Sequence, residues 1–160
     1  LVVFPELALS GYPPEDLLFH RGLRTQVEQG LATLAAEVAG EGNAATAQRL
    51  PGMLVGYPEY EGAAGSPVIY NAARLLAPEG KGANYRKAYL PNYRVFDVKR
   101  YFTSGGPSCV VTAKGIRIGL LVCEDIWETE PAQSARASGA ELLVVLNASP
   151  FQQHKQRERE

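Results

Sequence analysis

Apolar and polar positions divide the chain into segments of two different periods. Residues 1–4 (LVVF) are an unbroken apolar run stopped by Pro5, the pattern of a strand buried on both faces. Gly11-Tyr12-Pro13-Pro14 breaks the chain, and Glu15–Phe19 has room only for a short helix. From Leu23 the apolar residues Leu23, Val27, Leu31, Leu34, Ala35 and Val38 recur at helical spacing, and Gly40 supplies the stop. A polar, small-residue loop over 42–52 separates this helix from strands at 53–57, 69–76 and 83–87, with a turn at Pro78-Glu79-Gly80. Residues 89–106 are rich in aromatics and show no sustained period. Residues 110–112 and Ile116–Val122 flank Ala113-Lys114-Gly115, which predicts a hairpin. A polar stretch over 124–130 leads into a helix with Pro131 in its first turn, running to Ser138 and capped by Gly139. Leu142–Leu146 reads as another buried strand. Strands and helices alternate while the middle contains hairpins, so the fold class is α/β with mixed sheets.

Composition narrows the picture. Of 160 residues 46% are hydrophobic, which excludes a disordered chain and suggests one domain over 1–160. Sixteen basic and 17 acidic residues give a net charge of −1, so neither nucleic acid nor an anionic membrane is an expected partner. No apolar run approaches the ~20 residues of a spanning helix, and the N-terminus lacks a signal-peptide layout. The only methionine is Met53, the chain opens on an apolar run without lead-in, and it closes on a charged stretch. It therefore reads as a piece of a longer protein, cut at both ends. Pairing across the hairpin sets Cys109 opposite Gly119, which leaves Cys123 about four residues further on, or ~13 Å at strand rise. A disulfide needs Cα atoms within ~7 Å, so both thiols are expected free, as in a reducing cytoplasm.

Three residues stand where chemistry is possible. Cys123 ends an apolar strand and is followed at once by Glu124 and Asp125. Taken alone it is a small core hydrophobe, but reactive groups of α/β proteins sit at such strand ends, beside backbone N–H groups able to receive an oxyanion. Glu6 follows the first strand by one proline and is pinned between Phe4 and Leu7, where desolvation would raise its pKa toward that of a general base. Lys87 closes a strand just ahead of the aromatic stretch. His20 and His154 lack metal-ligand spacing, and no Cys/His cluster could hold zinc, so no metal site is expected. Ser104-Gly105-Gly106 opens no helix and is not read as a phosphate turn.

Together these residues form a pattern. Phe4-Pro5-Glu6-Leu7 with Gly11-Tyr12, then Tyr85-Arg86-Lys87 with Leu90-Pro91, then Val122-Cys123-Glu124-Asp125 resemble the nitrilase, or carbon–nitrogen hydrolase, superfamily, whose catalytic residues run Glu, Lys, Cys along the chain. ELALSGYPPEDLL from Glu6, LPNYRVFDVKRYF from Leu90 and CEDIW from Cys123 are similar to the glutaminase domains of glutamine-dependent NAD⁺ synthetases. The resemblance covers essentially the whole sequence.

It implies a four-layer α-β-β-α sandwich with mixed sheets, incomplete at both ends. It also implies Cys123 as nucleophile, Glu6 as general base and Lys87 as oxyanion stabiliser, with Tyr93, Glu124, Trp127 and Ser149 near a bound L-glutamine. The implied partner is a synthetase domain of the same chain, in a homo-oligomer. ATP and Mg²⁺ belong to that domain, and the Ser-Gly-Gly here lacks the aspartate of its ATP loop, so no cofactor is expected in this segment. One position departs from the superfamily: where a second glutamate usually follows Phe-x, Phe96-Asp97 is followed by Val98. Either Asp97 serves instead or the supporting carboxylate is lost. A stand-alone amidase and a catalytically silent scaffold remain the competing readings, and Val98 is the one feature favouring the scaffold.

Overall fold

The computed structural model describes residues 1–41, 50–63, 67–78, 82–90, 92–93, 96–106, 108–149, 153 and 157, and of 92–93 and 96–98 the backbone alone. The sequence-predicted loop at 42–52 and turn at 78–80 fall largely outside these residues, as does His154. The described elements are β1 (Val2–Val3), a 3₁₀ turn (Glu15–Phe19), α1 (Arg21–Ala39), β2 (Met53–Glu61), β3 (Val68–Leu76), β4 (Ala83–Arg86), β5 (Asn92–Tyr93), β6 (Phe96–Asp97), α2 (Val98–Tyr101), β7 (Cys109–Ala113), β8 (Ile116–Val122), a 3₁₀ turn (Cys123–Ile126), α3 (Thr129–Ala137) and β9 (Leu142–Leu146).

Two sheets carry the architecture. In the first, β1 runs parallel to β2, and β2-β3-β4 follow antiparallel. In the second, β7 and β8 form the hairpin and β9 joins β8 in parallel. The period of two along each strand assigns its faces. Leu54, Leu75 and Tyr85 of the first sheet meet Val111, Ile118, Leu120, Val122 and Leu146 of the second in one buried core. The other face of the first sheet receives α1, whose Val27 packs on Tyr57 and Ala72 and whose Val38 packs on Val55 and Leu76. Gly40 ends that helix in the left-handed region, as its position in the sequence predicts. On the far face of the second sheet α3 lies close against β8, where Gly119 faces Ala135. The layers run α1, sheet, sheet, α3: the α-β-β-α sandwich with mixed sheets.

Four local readings change. Leu1 and the β1 residues Val2 and Val3 are 40–46% exposed, and among the described residues β1 pairs with β2 alone, at the edge of the sheet. β9 is buried only towards its C-terminal end: Leu142 is 49% exposed and Leu146 1%, since this strand too lies at a sheet edge. Residues 89–106 contain the short β5–β6 pair and the single turn α2, elements too brief for periodicity to register. The hairpin closes through Lys114-Gly115 alone, both at positive φ as in a type I′ turn, which sets Cys109 opposite Leu120 rather than Gly119. Lysine at the first of these positions conceals the usual Asn-Gly signal. Both cysteines are free.

One glycine determines how the first strand reaches the interior. A Cβ on Gly56 of β2 would lie 2.3 Å from the Pro5 carbonyl oxygen and 2.6 Å from the Leu7 nitrogen. Residues 5–7 can therefore cross directly over β2 only because position 56 has no side chain. Both obstructing groups are backbone, so Gly56→Ala is expected to destabilise the protein by about 1–3 kcal/mol or more. Urea unfolding of the two proteins measures it, and equal midpoints would contradict the close crossing.

Candidate active site

The crossing over β2 delivers Glu6. The next residue, Leu7, takes a left-handed φ of +53°, and Glu6 itself is 2% exposed. Lys87 is the first residue past β4 and is equally buried. Its backbone is held on both sides: its N–H donates to the Asn71 carbonyl at 2.8 Å, and its carbonyl accepts from the Gly105 N–H at 2.7 Å. Gly105 allows this approach, since a Cβ there would lie 2.1 Å from the Arg86 carbonyl oxygen. Ser104 Oγ donates to the Ala88 carbonyl. The Ser104-Gly105-Gly106 stretch thus clamps the backbone around Lys87.

The two side chains meet. Lys87 Nζ donates to Glu6 Oε1 at 2.8 Å, and Asn71 Nδ2 donates to the same oxygen at 2.7 Å. Glu6 Oε2 and Asn71 Oδ1 are buried with no hydrogen-bond partner. An ion pair so far from water persists only with such direct geometry and added hydrogen bonds.

Cys123 is the third member. It stands immediately after β8, opens the 3₁₀ turn and has a φ of +47°, the strained region often found at functional residues. Burial pushes its thiol up to about 11, the Glu6 charge adds to the rise, and Lys87 opposes it. The resting group at neutral pH is therefore a neutral thiol that needs a base to take its proton. Asp125, two residues on and fully buried, accepts from the Val122 and Tyr89 N–H groups and the Tyr85 hydroxyl at 2.8–2.9 Å, and from the Ala88 N–H at 3.1 Å.

The remaining sequence candidates are spread more widely. Glu124 is half-buried and acts electrostatically on both Cys123 and Tyr12. Trp127 is half-exposed and lines a separate cleft with Thr129, Arg136 and Leu142, to which Glu6, Lys87 and Cys123 do not contribute. Ser149 is exposed beyond β9. The side chains of Tyr93, Asp97 and Val98 lie outside the described residues.

Sequence reasoning gave no role to three members of this neighbourhood. The Tyr12 phenol is held above its usual pKa by burial and then by the Glu6, Cys123 and Glu124 charges, so it belongs with them, although the sequence shows it only within a chain-breaking loop and a resemblance motif, with no role of its own. Asn71 did leave a trace, as a polar residue on the inward face of β3 in step with Ala73 and Leu75. Asp125 was visible in the charged pair after the cysteine and in the resemblance motif, without a role assigned to it.

The sequence matches the carbon-nitrogen hydrolase family over residues 1–159. It is 47% identical over 162 residues to a glutamine-dependent NAD(+) synthetase of Xanthomonas campestris, covering 100% of this chain and 27% of that protein. Among solved structures it resembles the glutamine-dependent NAD+ synthetase of Acinetobacter baumannii in complex with ADP, with a TM-score of 0.82 and 31% identity over 98% of this chain and 27% of that one. It also resembles an amidase from Nesterenkonia, a variant of which carries the acetamide moiety of fluoroacetamide added covalently at the active-site cysteine. There the TM-score is 0.75 at 25% identity, covering 98% and 54% of the two chains. The chain spans about a quarter of the length of the curated relatives it matches.

Two measurements probe this geometry. In a Cys109→Ala background, iodoacetamide labelling of Cys123 should rise with an inflection near pH 11, well above the ~8.5 of a free cysteine. Glu6→Gln removes a negative charge that disfavours the thiolate, so the inflection should move down; an upward shift would contradict the contact. Lys87→Met strands the Glu6 carboxylate in the interior and should cost about 3–5 kcal/mol in urea unfolding, with most of it recovered when Glu6→Gln is added. Additive effects of the two substitutions would mean that the ion pair does not couple them.

Proposed function

The chain belongs to the carbon-nitrogen hydrolase family, and on that premise we propose that it is the glutaminase portion of a glutamine-dependent NAD⁺ synthetase. It hydrolyses L-glutamine and supplies ammonia for the ATP-dependent amidation of deamido-NAD⁺ in a synthetase domain of the same protein, in the cytoplasm. The observation that carries the reading is the buried Glu6–Lys87 pair beside a neutral Cys123 thiol. A packing scaffold does not require an acid, a base and a thiol at one point, and the 47% identity to a named synthetase supports the substrate.

Each residue has a task that its surroundings suit. Oε1 of Glu6 is committed to Lys87 and Asn71, which leaves Oε2 to take the thiol proton. The thiolate attacks the γ-carboxamide carbon, and the oxyanion that forms is met by Lys87 Nζ and the Glu124 N–H. Glu6 returns the proton to the nitrogen, ammonia departs, and a thioester to Cys123 remains. Glu6 then takes a proton from water, the resulting hydroxide attacks the thioester, and glutamate leaves as the thiol regains its proton. Tyr93, Glu124, Trp127 and Ser149 are proposed to contact the glutamine, and Asp97 to stand in for the glutamate that Val98 replaces.

ATP and Mg²⁺ act elsewhere in the protein. The Ser-Gly-Gly stretch, by contrast, is committed to Lys87 and Ala88. No step above passes through either group. The likeness to the Nesterenkonia amidase favours one second reading, a stand-alone amidase using the same three residues.

In the full-length protein, Cys123→Ala should abolish NAD⁺ formation from glutamine and leave formation from ammonium salt intact. The change opens only a methyl-sized void, costing about 1 kcal/mol. Cys109→Ala should alter neither rate by much. Glutamine-dependent synthesis surviving in Cys123→Ala would remove the nucleophile assignment, and failure of the unaltered protein to use glutamine would leave the amidase reading.

A further inference from the structure

Asp125 is the most heavily bonded carboxylate among the described residues, and no step above uses it. Its side chain is completely buried. Oδ1 accepts from the N–H groups of Ala88 and Tyr89, at 3.1 and 2.8 Å, which follow Lys87 directly. Oδ2 accepts from the Val122 N–H, which precedes Cys123 directly, and from the Tyr85 hydroxyl, both at 2.9 Å. The two oxygens therefore grip the chain on the sequence neighbours of the nucleophile and of the lysine. The first set of donors belongs to the segment leaving the four-stranded sheet, and Val122 belongs to the other sheet.

We infer that Asp125 is a positioning residue, a clasp between the two sheets that sets the spacing of Cys123 and Lys87 for oxyanion formation. The geometry requires a carboxylate in particular. Three of the four donors are backbone N–H groups, which can only donate, so the site needs an acceptor on both sides. Asparagine has the same shape, but its NH₂ must face at least one N–H, and the Tyr85 hydroxyl is the one partner able to reverse its role. Loss of the clasp frees the Cys123 turn, whose left-handed φ has to be held by its surroundings. A misplacement of about 1 Å at a reacting atom can cost 10²-fold in rate.

This inference rests on the glutaminase reading for its substrate, so the test includes one arm that needs no amide. Asp125→Asn and Tyr85→Phe are made in the full-length protein, with folded protein quantified by thermal melting and circular dichroism. Per folded molecule, Asp125→Asn should lower kcat for glutamine hydrolysis by about tenfold or more, with KM within about twofold, the pattern of an interaction made in the transition state. Labelling of Cys123 by iodoacetamide should slow in parallel, by roughly fivefold or more. Tyr85→Phe removes one bond and keeps the charge, so it should show the same split at about threefold. A residue that merely holds the fold would lower the melting temperature and leave both rates per folded molecule unchanged, and that outcome overturns the proposal. If Asp125→Asn does not fold, the labelling rate of Tyr85→Phe decides: slowing supports the clasp, and an unchanged rate overturns it. If the unaltered protein does not hydrolyse glutamine, the substrate reading falls, while the labelling arm still decides the role of Asp125.

Discussion

A carboxylate and an ammonium group lie 2.8 Å apart with almost no exposure to water, and much of this structure can be understood as what that pair requires. Its two charges come from residues 81 positions apart, so each must be brought in by backbone that has no freedom to drift. Glu6 enters over a glycine in β2, and Lys87 is held between Asn71 and Gly105. Asn71 does both jobs, binding the Lys87 backbone with its carbonyl and the Glu6 carboxylate with its side chain. Without those ties the desolvation of either charge would exceed the attraction between them.

The pair also bears on the protonation of Cys123. A thiol beside a cation alone would ionise readily. Here the glutamate dominates over the lysine and burial dominates over both, so the sulfur rests protonated. Such a cysteine is protected from chance oxidants, because the thiolate is the reactive form. In the role proposed for it, it would become a nucleophile only when its proton has somewhere to go, and the unbonded Oε2 of Glu6 is the acceptor proposed for that proton.

The layers were legible in the sequence wherever a segment was long enough to show its period. The α1 face from Leu23 to Val38, its Gly40 stop, and the strands β3, β8 and β9 all follow from spacing and punctuation. Burial was misjudged at both edge strands, because an apolar run does not reveal whether a neighbour lies on each side. The short β5–β6 pair and the lysine-containing hairpin turn carried too little local signal. At the site, Glu6, Lys87 and Cys123 stood out through family resemblance, since a carboxylate, an amine and a thiol scattered over 117 positions have no spacing of their own. Asn71 and Asp125 stayed hidden for a different reason. Their importance lies in which distant groups they meet: Asn71 meets Glu6 and Lys87 once the first sheet is assembled, and Asp125 meets Tyr85, Ala88, Tyr89 and Val122 once both sheets are in place.

The long sequence interval inside the ion pair has a consequence for how the protein is made. Glu6 leaves the ribosome 81 residues before Lys87, which at about 5–20 residues per second is an interval of several seconds. During that time the carboxylate has no counter-charge and gains nothing by leaving water, so the crossing of residues 5–7 over β2 is disfavoured even after β2 and β3 have been synthesised. The buried pair can therefore close only in chains translated past the lysine.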